Sequence, residues 1–201
     1  MRKIIVLLTI ILGCITNSIR AMADTLSYKL FAEFTIGAGT ADVAYIMSNG
    51  DIRKLDKTYW NAQFAPSVGV SISDRWSVGV RATLQTNYSY FHARYNIATL
   101  YGQYSFLNRG AWSAFVEGKG SYYKYVCSRG EKSGYNLGEI GFSLGAKYSL
   151  TEKLSLVAHY IYTGVEVGNG WLNRPGGCIS SGRVMLDFSP RRLLIGARYT
   201  F

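Results

Sequence analysis

Residues 59–90 read YWNAQFAPSVGVSISDRWSVGVRATLQTNYSY, two alternating runs joined by Ser73-Asp74-Arg75. The first run puts Trp60, Ala62, Phe64, Pro66, Val68, Val70 and Ile72 on one face, against Tyr59, Asn61, Gln63, Ala65, Ser67, Gly69 and Ser71. The second puts Trp76, Val78, Val80, Ala82, Leu84, Tyr88 and Tyr90 against Ser77, Gly79, Arg81, Thr83, Gln85 and Asn87. A period of two is the signature of a strand, and the short polar connection is a tight turn.

The same alternation extends in both directions. Ser27–Gly39 sets Tyr28, Leu30, Ala32, Phe34 and Ile36 against Lys29, Phe31, Glu33 and Thr35. Ala111–Lys124 sets Trp112, Ala114, Val116 and Tyr122 against Ser113, Phe115, Glu117, Lys119 and Ser121. Tyr135–Leu150 sets Ile140, Phe142, Leu144 and Tyr148 against Glu139, Gly141, Ser143 and Lys147. Leu154–Val165 sets Leu156, Ala158, Tyr160 and Tyr162 against Ser155, Val157, His159, Ile161 and Thr163. The final stretch, Leu193–Phe201, shares one face among Leu193, Ile195, Ala197, Tyr199 and Phe201 and leaves Arg198 on the other. Arg94–Phe106 is ambiguous: it either exposes Ala98, Leu100, Tyr104 and Phe106 or hides a bulge. These stretches make eight strands, and no helical periodicity follows the N-terminal segment.

Connections and faces together decide the architecture. Ser73–Arg75, Leu107–Gly110 and Thr151–Lys153 are short and polar. Thr40–Thr58, Cys127–Gly134 and Glu166–Asp187 are long, with a briefer link near Phe91–Ala93. Short turns at one end and longer loops at the other is the pattern of a membrane barrel. A soluble barrel would turn its apolar faces inward. Here those faces carry aromatics near both ends, Trp76, Trp112, Tyr148 and Phe201 by the short turns and Trp60, Tyr88, Tyr90, Tyr122 and Tyr162 toward the loops. Two such girdles mark two lipid–water interfaces, and the polar faces are too poor in charge for a wetted exterior. The reading is an all-β fold, an eight-stranded antiparallel up-and-down transmembrane β-barrel.

Arg2 and Lys3, the apolar run Ile4–Ile15 and the Ala21-Met22-Ala23 site read as a secretory signal peptide over residues 1–23. Residues 24–201 are then the barrel domain. A competing cut before Cys14, after Ile11-Leu12-Gly13, would leave a lipid-bearing cysteine. Without residues 1–23 the chain keeps 19 basic and 12 acidic residues, and two cysteines, Cys127 and Cys178. These fall in loops adjacent around the barrel, and an oxidising periplasm would favour a disulfide between them.

The alternation, the turn pattern and the YTF ending resemble the small eight-stranded outer-membrane barrels of the OmpA/OmpX type. The resemblance implies residence in the bacterial outer membrane after export. Tyr199 and Phe201 match the terminal aromatic signal that the barrel-assembly machinery reads in such proteins. That family includes adhesins, resistance factors and anchors, so fold alone does not choose among roles.

Lumen-facing positions hold Glu33, Arg81, Glu117, Lys119, Glu139, Lys147, His159 and Arg198. Charges of both signs on different strands are costly to bury unpaired, so a salt-bridge network filling the lumen is expected. Lipid A deacylases of similar architecture use a His-x-Ser pair. His92 is followed by Ala93-Arg94 and His159 by Tyr160-Ile161, so neither matches. No metal, cofactor or catalytic triad is nominated by spacing. The expected role is therefore structural or interactive, as an adhesin or envelope protein. A lipid-modifying enzyme and a narrow pore stand as alternatives. Arg129, Lys132, Arg174, Arg183, Arg191 and Arg192 suggest basic loops that would attract the phosphates of lipopolysaccharide. Partners expected are outer-membrane lipid, lipopolysaccharide and the assembly machinery, with no nucleic acid; a monomer is expected. Deleting Phe201 should lower the amount of barrel assembled in cells while sparing barrels already folded. Heat-modifiable migration of outer-membrane fractions measures this, and unchanged levels would refute the signal.

Overall fold

The computed structural model describes residues 28–46, 52–88, 93–126, 136–168, 178–181 and 184–201. Ten β-segments follow in order: β1 (Lys29–Ile46), β2 (Ile52–Ser71), β3 (Trp76–Tyr88), β4 (Ala93–Arg109), β5 (Trp112–Val126), β6 (Asn136–Ser149), β7 (Leu154–Gly168), β8 (Cys178–Ser181), β9 (Val184–Asp187) and β10 (Leu194–Thr200). From β1 to β7 each pairs antiparallel with the next. β10 closes the wall, with Leu194–Tyr199 against Leu154–His159 of β7 and Ile195–Thr200 against Phe31–Ile36 of β1. Higher up, β9 continues the same stave against Tyr162–Val165 of β7, and β8 pairs with β9. The barrel thus has eight staves, the last interrupted by a 3-10 turn at Pro190–Arg192. Closure is what lipid demands, because a bilayer offers no partner for a free N–H or C=O.

Burial is inverted relative to a soluble domain. Leu100 is 67% exposed and Ile36 64%, while Glu33 and Glu117 are 0% exposed. At the short-turn rim, Trp76 packs on Tyr104 and Trp112 on Tyr148, each with ring centroids 4.8 Å apart, and Tyr199 meets Phe201 at 5.2 Å. Trp60 and Tyr122 are exposed toward the other end. Two of the short turns are tied by a hydroxyl. Ser73 Oγ accepts from the amides of Arg75 and Trp76, and Thr151 Oγ1 from those of Lys153 and Leu154. The third turns through Gly110, whose φ of +59° suits glycine.

Inside, aromatic rings lie over residues that must lack a side chain. A Cβ on Gly79 would strike the Tyr101 ring, and one on Gly145 would strike Phe115. Gly69 beneath Phe31 is a third such socket for a lumen aromatic.

Four expectations change. Thr40–Thr58 is not all loop: β1 and β2 stay paired up to Ile46 opposite Ile52, with an irregularity at Asp42/Val43. Above the bilayer the outer face need not be apolar, so the alternation fades while the ladder continues. β4 exposes Ala98 and Leu100 and also carries a bulge, where Phe106 is skipped between the pairings of Ser105 and Leu107. β7 carries another at Ile161, which has φ +51° and no partner on β6. That extra residue reverses the faces beyond it, so Tyr162 is buried in the lumen and leaves the outer girdle, and Thr163 turns outward. Part of Glu166–Asp187 is strand rather than loop. Tyr90, Cys127 and residues 1–27 lie outside the described residues, so neither the proposed disulfide nor the signal peptide is described.

Tryptophan reports on this inversion. In variants keeping only Trp60, Trp76 or Trp112, emission should be quenched by lipids brominated near the headgroups more than by lipids brominated at the chain ends. Emission untouched by either lipid would place these rings away from the membrane.

Candidate functional site

Lumen-facing side chains converge from most of the wall into two decks. In the deck nearer the short turns, Arg81 of β3 grips Glu117 of β5 with both terminal nitrogens, at 2.9 and 2.8 Å. Arg198 of β10 donates to Glu33 of β1 through Nε and Nη2, at 2.9 and 2.6 Å. The pairs are linked. Arg81 Nη2 reaches Glu33 at 3.4 Å, and Gln103 of β4 donates to Glu117 at 2.9 Å while accepting from Arg198 at 2.7 Å. The His159 ring lies between the two carboxylates, Nε2 at 3.0 Å from Glu33 and Nδ1 at 3.4 Å from Glu117. Arg198 stacks over Phe31 and Arg81 over Tyr101, with guanidinium carbons 4.1 and 4.6 Å from the ring centroids.

The second deck lies toward the loops. Arg192 donates to Glu139 of β6 at 3.0 and 3.2 Å and to Asp187 at 2.7 Å. Arg191 donates to Asp187 as well, at 2.9 Å. Tyr123 of β5 donates to Glu139 at 2.6 Å, and the Ser189 hydroxyl donates to Asp187 at 2.7 Å. Tyr162 is the shared floor: Arg192 sits 4.5 Å from its ring centroid and Lys119 5.1 Å. Lys119 also lies 3.9 Å from Glu117, bridging the decks.

Of the eight lumen residues read from sequence, Glu33, Arg81, Glu117, His159 and Arg198 meet in the first deck. Glu139 belongs to the second, with Lys119 between. Lys147 faces the lumen without an ion pair to any described residue. Sequence reasoning missed Gln103, Tyr123, Tyr162 and Asp187. It also assigned Arg191 and Arg192 to a basic outer surface. The structure corrects this: Pro190 opens a turn that carries both guanidiniums inward, where Asp187 and Glu139 neutralise them. A pair of arginines just after a proline, breaking the alternation, was the available signal.

Chemically the arrangement is a set of struts. Between the decks a cavity of about 60 Å³ remains, lined by Gln63, Thr83, Thr99, Lys119, Tyr123 and Glu139 among others. It holds a few waters at most. Among the described residues no three His, Cys, Asp or Glu side chains group as a metal site would.

The closed, inside-out eight-stave wall is that of a small bacterial outer-membrane β-barrel. Among solved structures, neisserial surface protein A is similar over 87% of this chain and 96% of its own, at 16% identity and a TM-score of 0.55. OprG of Pseudomonas aeruginosa is similar over 87% and 95%, at 15% identity and a TM-score of 0.45. The attachment invasion locus protein of Yersinia pestis, solved with the heparin analogue sucrose octasulfate, is similar over 86% and 99%, at 14% identity and a TM-score of 0.41. At such identities the likeness is one of fold, and it is the first that carries it. No family model matches the chain, and no curated protein is similar to it in sequence.

Removing Glu117 strands Arg81 beside a buried Glu33 already held by Arg198. Glu117→Ala should therefore cost several kcal/mol, roughly 3–5, of unfolding free energy in detergent or bilayer. Asp74→Ala, in an exposed turn, should change it little. Equal stability of the Glu117 variant and its parent would show that the deck contributes no net support.

Proposed function

We propose that residues 1–23 export this chain and that residues 24–201 reside in the outer membrane as a structural or interaction protein, an adhesin or envelope barrel acting through its outer surface. The observation that supports this most is the lumen. Two decks of buried ion pairs cross it, and the cavity between them is about 60 Å³, which leaves little room among the described residues for a solute path or a substrate cleft. That weighs against the narrow pore. It weighs equally against a lipid-modifying enzyme, because His159, the described histidine, is buried between carboxylates and away from lipid.

The proposed partners are outer-leaflet lipid with its lipopolysaccharide, and the assembly machinery that would read Tyr199 and Phe201. Of the basic loop residues, Arg129, Lys132, Arg174 and Arg183 lie outside the described residues, and Arg191 and Arg192 are spent inside the barrel. A monomer fits a wall that closes on itself. In planar bilayers the purified protein should insert and give no steady conductance of porin size. Steady open-channel current would overturn the plugged reading and restore the pore. In parallel, cells displaying the intact barrel should lose surface binding when the loops between β1 and β2 and between β5 and β6 are shortened. Unchanged binding would remove the adhesin role.

A further inference from the structure

The outer wall is not uniformly convex. Across β3 to β6 it sinks into an apolar groove of about 690 Å³, floored by Ala82, Ala98 and Gly120 and walled by Leu100, Tyr122 and Ile140. Ala82 pairs with Ala98 and Leu100 with Gly120, so small residues meet across the strands that floor it. The groove ends at the level of Tyr122, on the strand that begins with Trp112 at the opposite rim. Ten residues separate these two outward aromatics, which is about the length that crosses the hydrocarbon layer at a tilt. The next outward pair above Ala98 and Tyr122 is Asn96 with Lys124, and above Asn96 on β4 stands Arg94. Each such step is about 7 Å along the strand, within reach of a long side chain. Arg94 and Lys124 are exposed, diagonal neighbours on one face, and neither has an acidic partner among the described residues.

An acyl-sized apolar trough thus runs up to two cations that pair with no described acidic residue, at the height of the lipid phosphates. We propose that this is a binding site for a phosphorylated outer-leaflet glycolipid, its phosphate between Arg94 and Lys124 and an acyl chain in the groove between Leu100 and Ile140. This deepens the outer-membrane reading and rests on it. Charge selects the occupant: a second copy of the barrel would bring like charge against Arg94 and Lys124, whereas a phosphate complements both. Asn96 adds an amide donor at the same height.

The test titrates detergent-solubilised full-length protein with bisphosphorylated lipid A and follows bound lipid by native mass spectrometry. Wild type should bind it and prefer it to the dephosphorylated lipid. Arg94→Ala combined with Lys124→Ala should weaken binding by about tenfold or more, whereas Arg75→Ala at the opposite rim should not. Gly120→Leu should also weaken binding. A Cβ at Gly120 meets nothing within 4 Å, so this variant fills the groove without disturbing the wall. Arg94→Lys with Lys124→Arg should retain binding. Equal affinity for the dephosphorylated lipid, an unaffected double-alanine variant, or displacement by excess inorganic phosphate would each overturn the site. So would a wild-type dimer that Gly120→Leu disperses, which would assign the groove to a second copy. The comparison of phosphorylated with dephosphorylated lipid uses wild-type protein throughout. Loss of the lipid preference by a barrel that still inserts in bilayers strikes only this site. Failure to insert at all strikes the outer-membrane reading first.

Discussion

A charge shut inside a tube of eight strands has neither water nor a mobile counter-ion to answer it. Its recourse is a group of opposite sign projecting into the same space, and that requirement organises the interior. Glu33, Glu117, Glu139 and Asp187 are each met by a guanidinium, two in each deck. Arg81–Glu117 and Arg192–Glu139 join staves that are not neighbours, so these two pairs act as cross-braces on a wall whose neighbouring strands are already held by the backbone ladder. Desolvating such groups is expensive, and the net contribution to stability over an apolar filling is small; what pairing supplies is a penalty for any arrangement that separates them.

The wall was legible from period two because lipid outside and a filled lumen inside impose different chemistry on alternate residues. Where that contrast holds, as through Tyr59–Ser73 and Trp76–Leu84, the faces follow the sequence directly. Where it lapses, the reading failed for a physical reason. Above the membrane, β1 and β2 extend through Asp42 and Lys54, where apolar and polar residues no longer alternate. At Ile161 a single inserted residue exchanged the faces, and Tyr162 suits either side of the wall.

The interior was partly legible. Glu33, Arg81, Glu117, His159 and Arg198 lie on strands with clear parity, so their inward direction could be read, though not their pairing. Arg191 and Arg192 escaped because their direction is set by the turn after Ser189 and by Asp187, four and five residues earlier, rather than by strand alternation. The groove across β3 to β6 depends on which residues sit side by side on neighbouring strands, and no single strand's pattern contains that information.

Glu33 and Arg198 are direct neighbours across the β1–β10 seam, where the sheet returns to its own beginning. A sliding error of two residues at that seam would keep every side chain on its own face of the wall, so hydrophobic sorting alone would not detect it. It would, however, set Arg198 opposite Phe31 or Thr35, pull it away from Glu33 and Gln103, and leave Glu33 with only His159 and the longer contact to Arg81, which Glu117 already holds. The ion pair therefore acts as a proofreading key for ring closure, admitting one alignment of the first and last staves and penalising its nearest competitors.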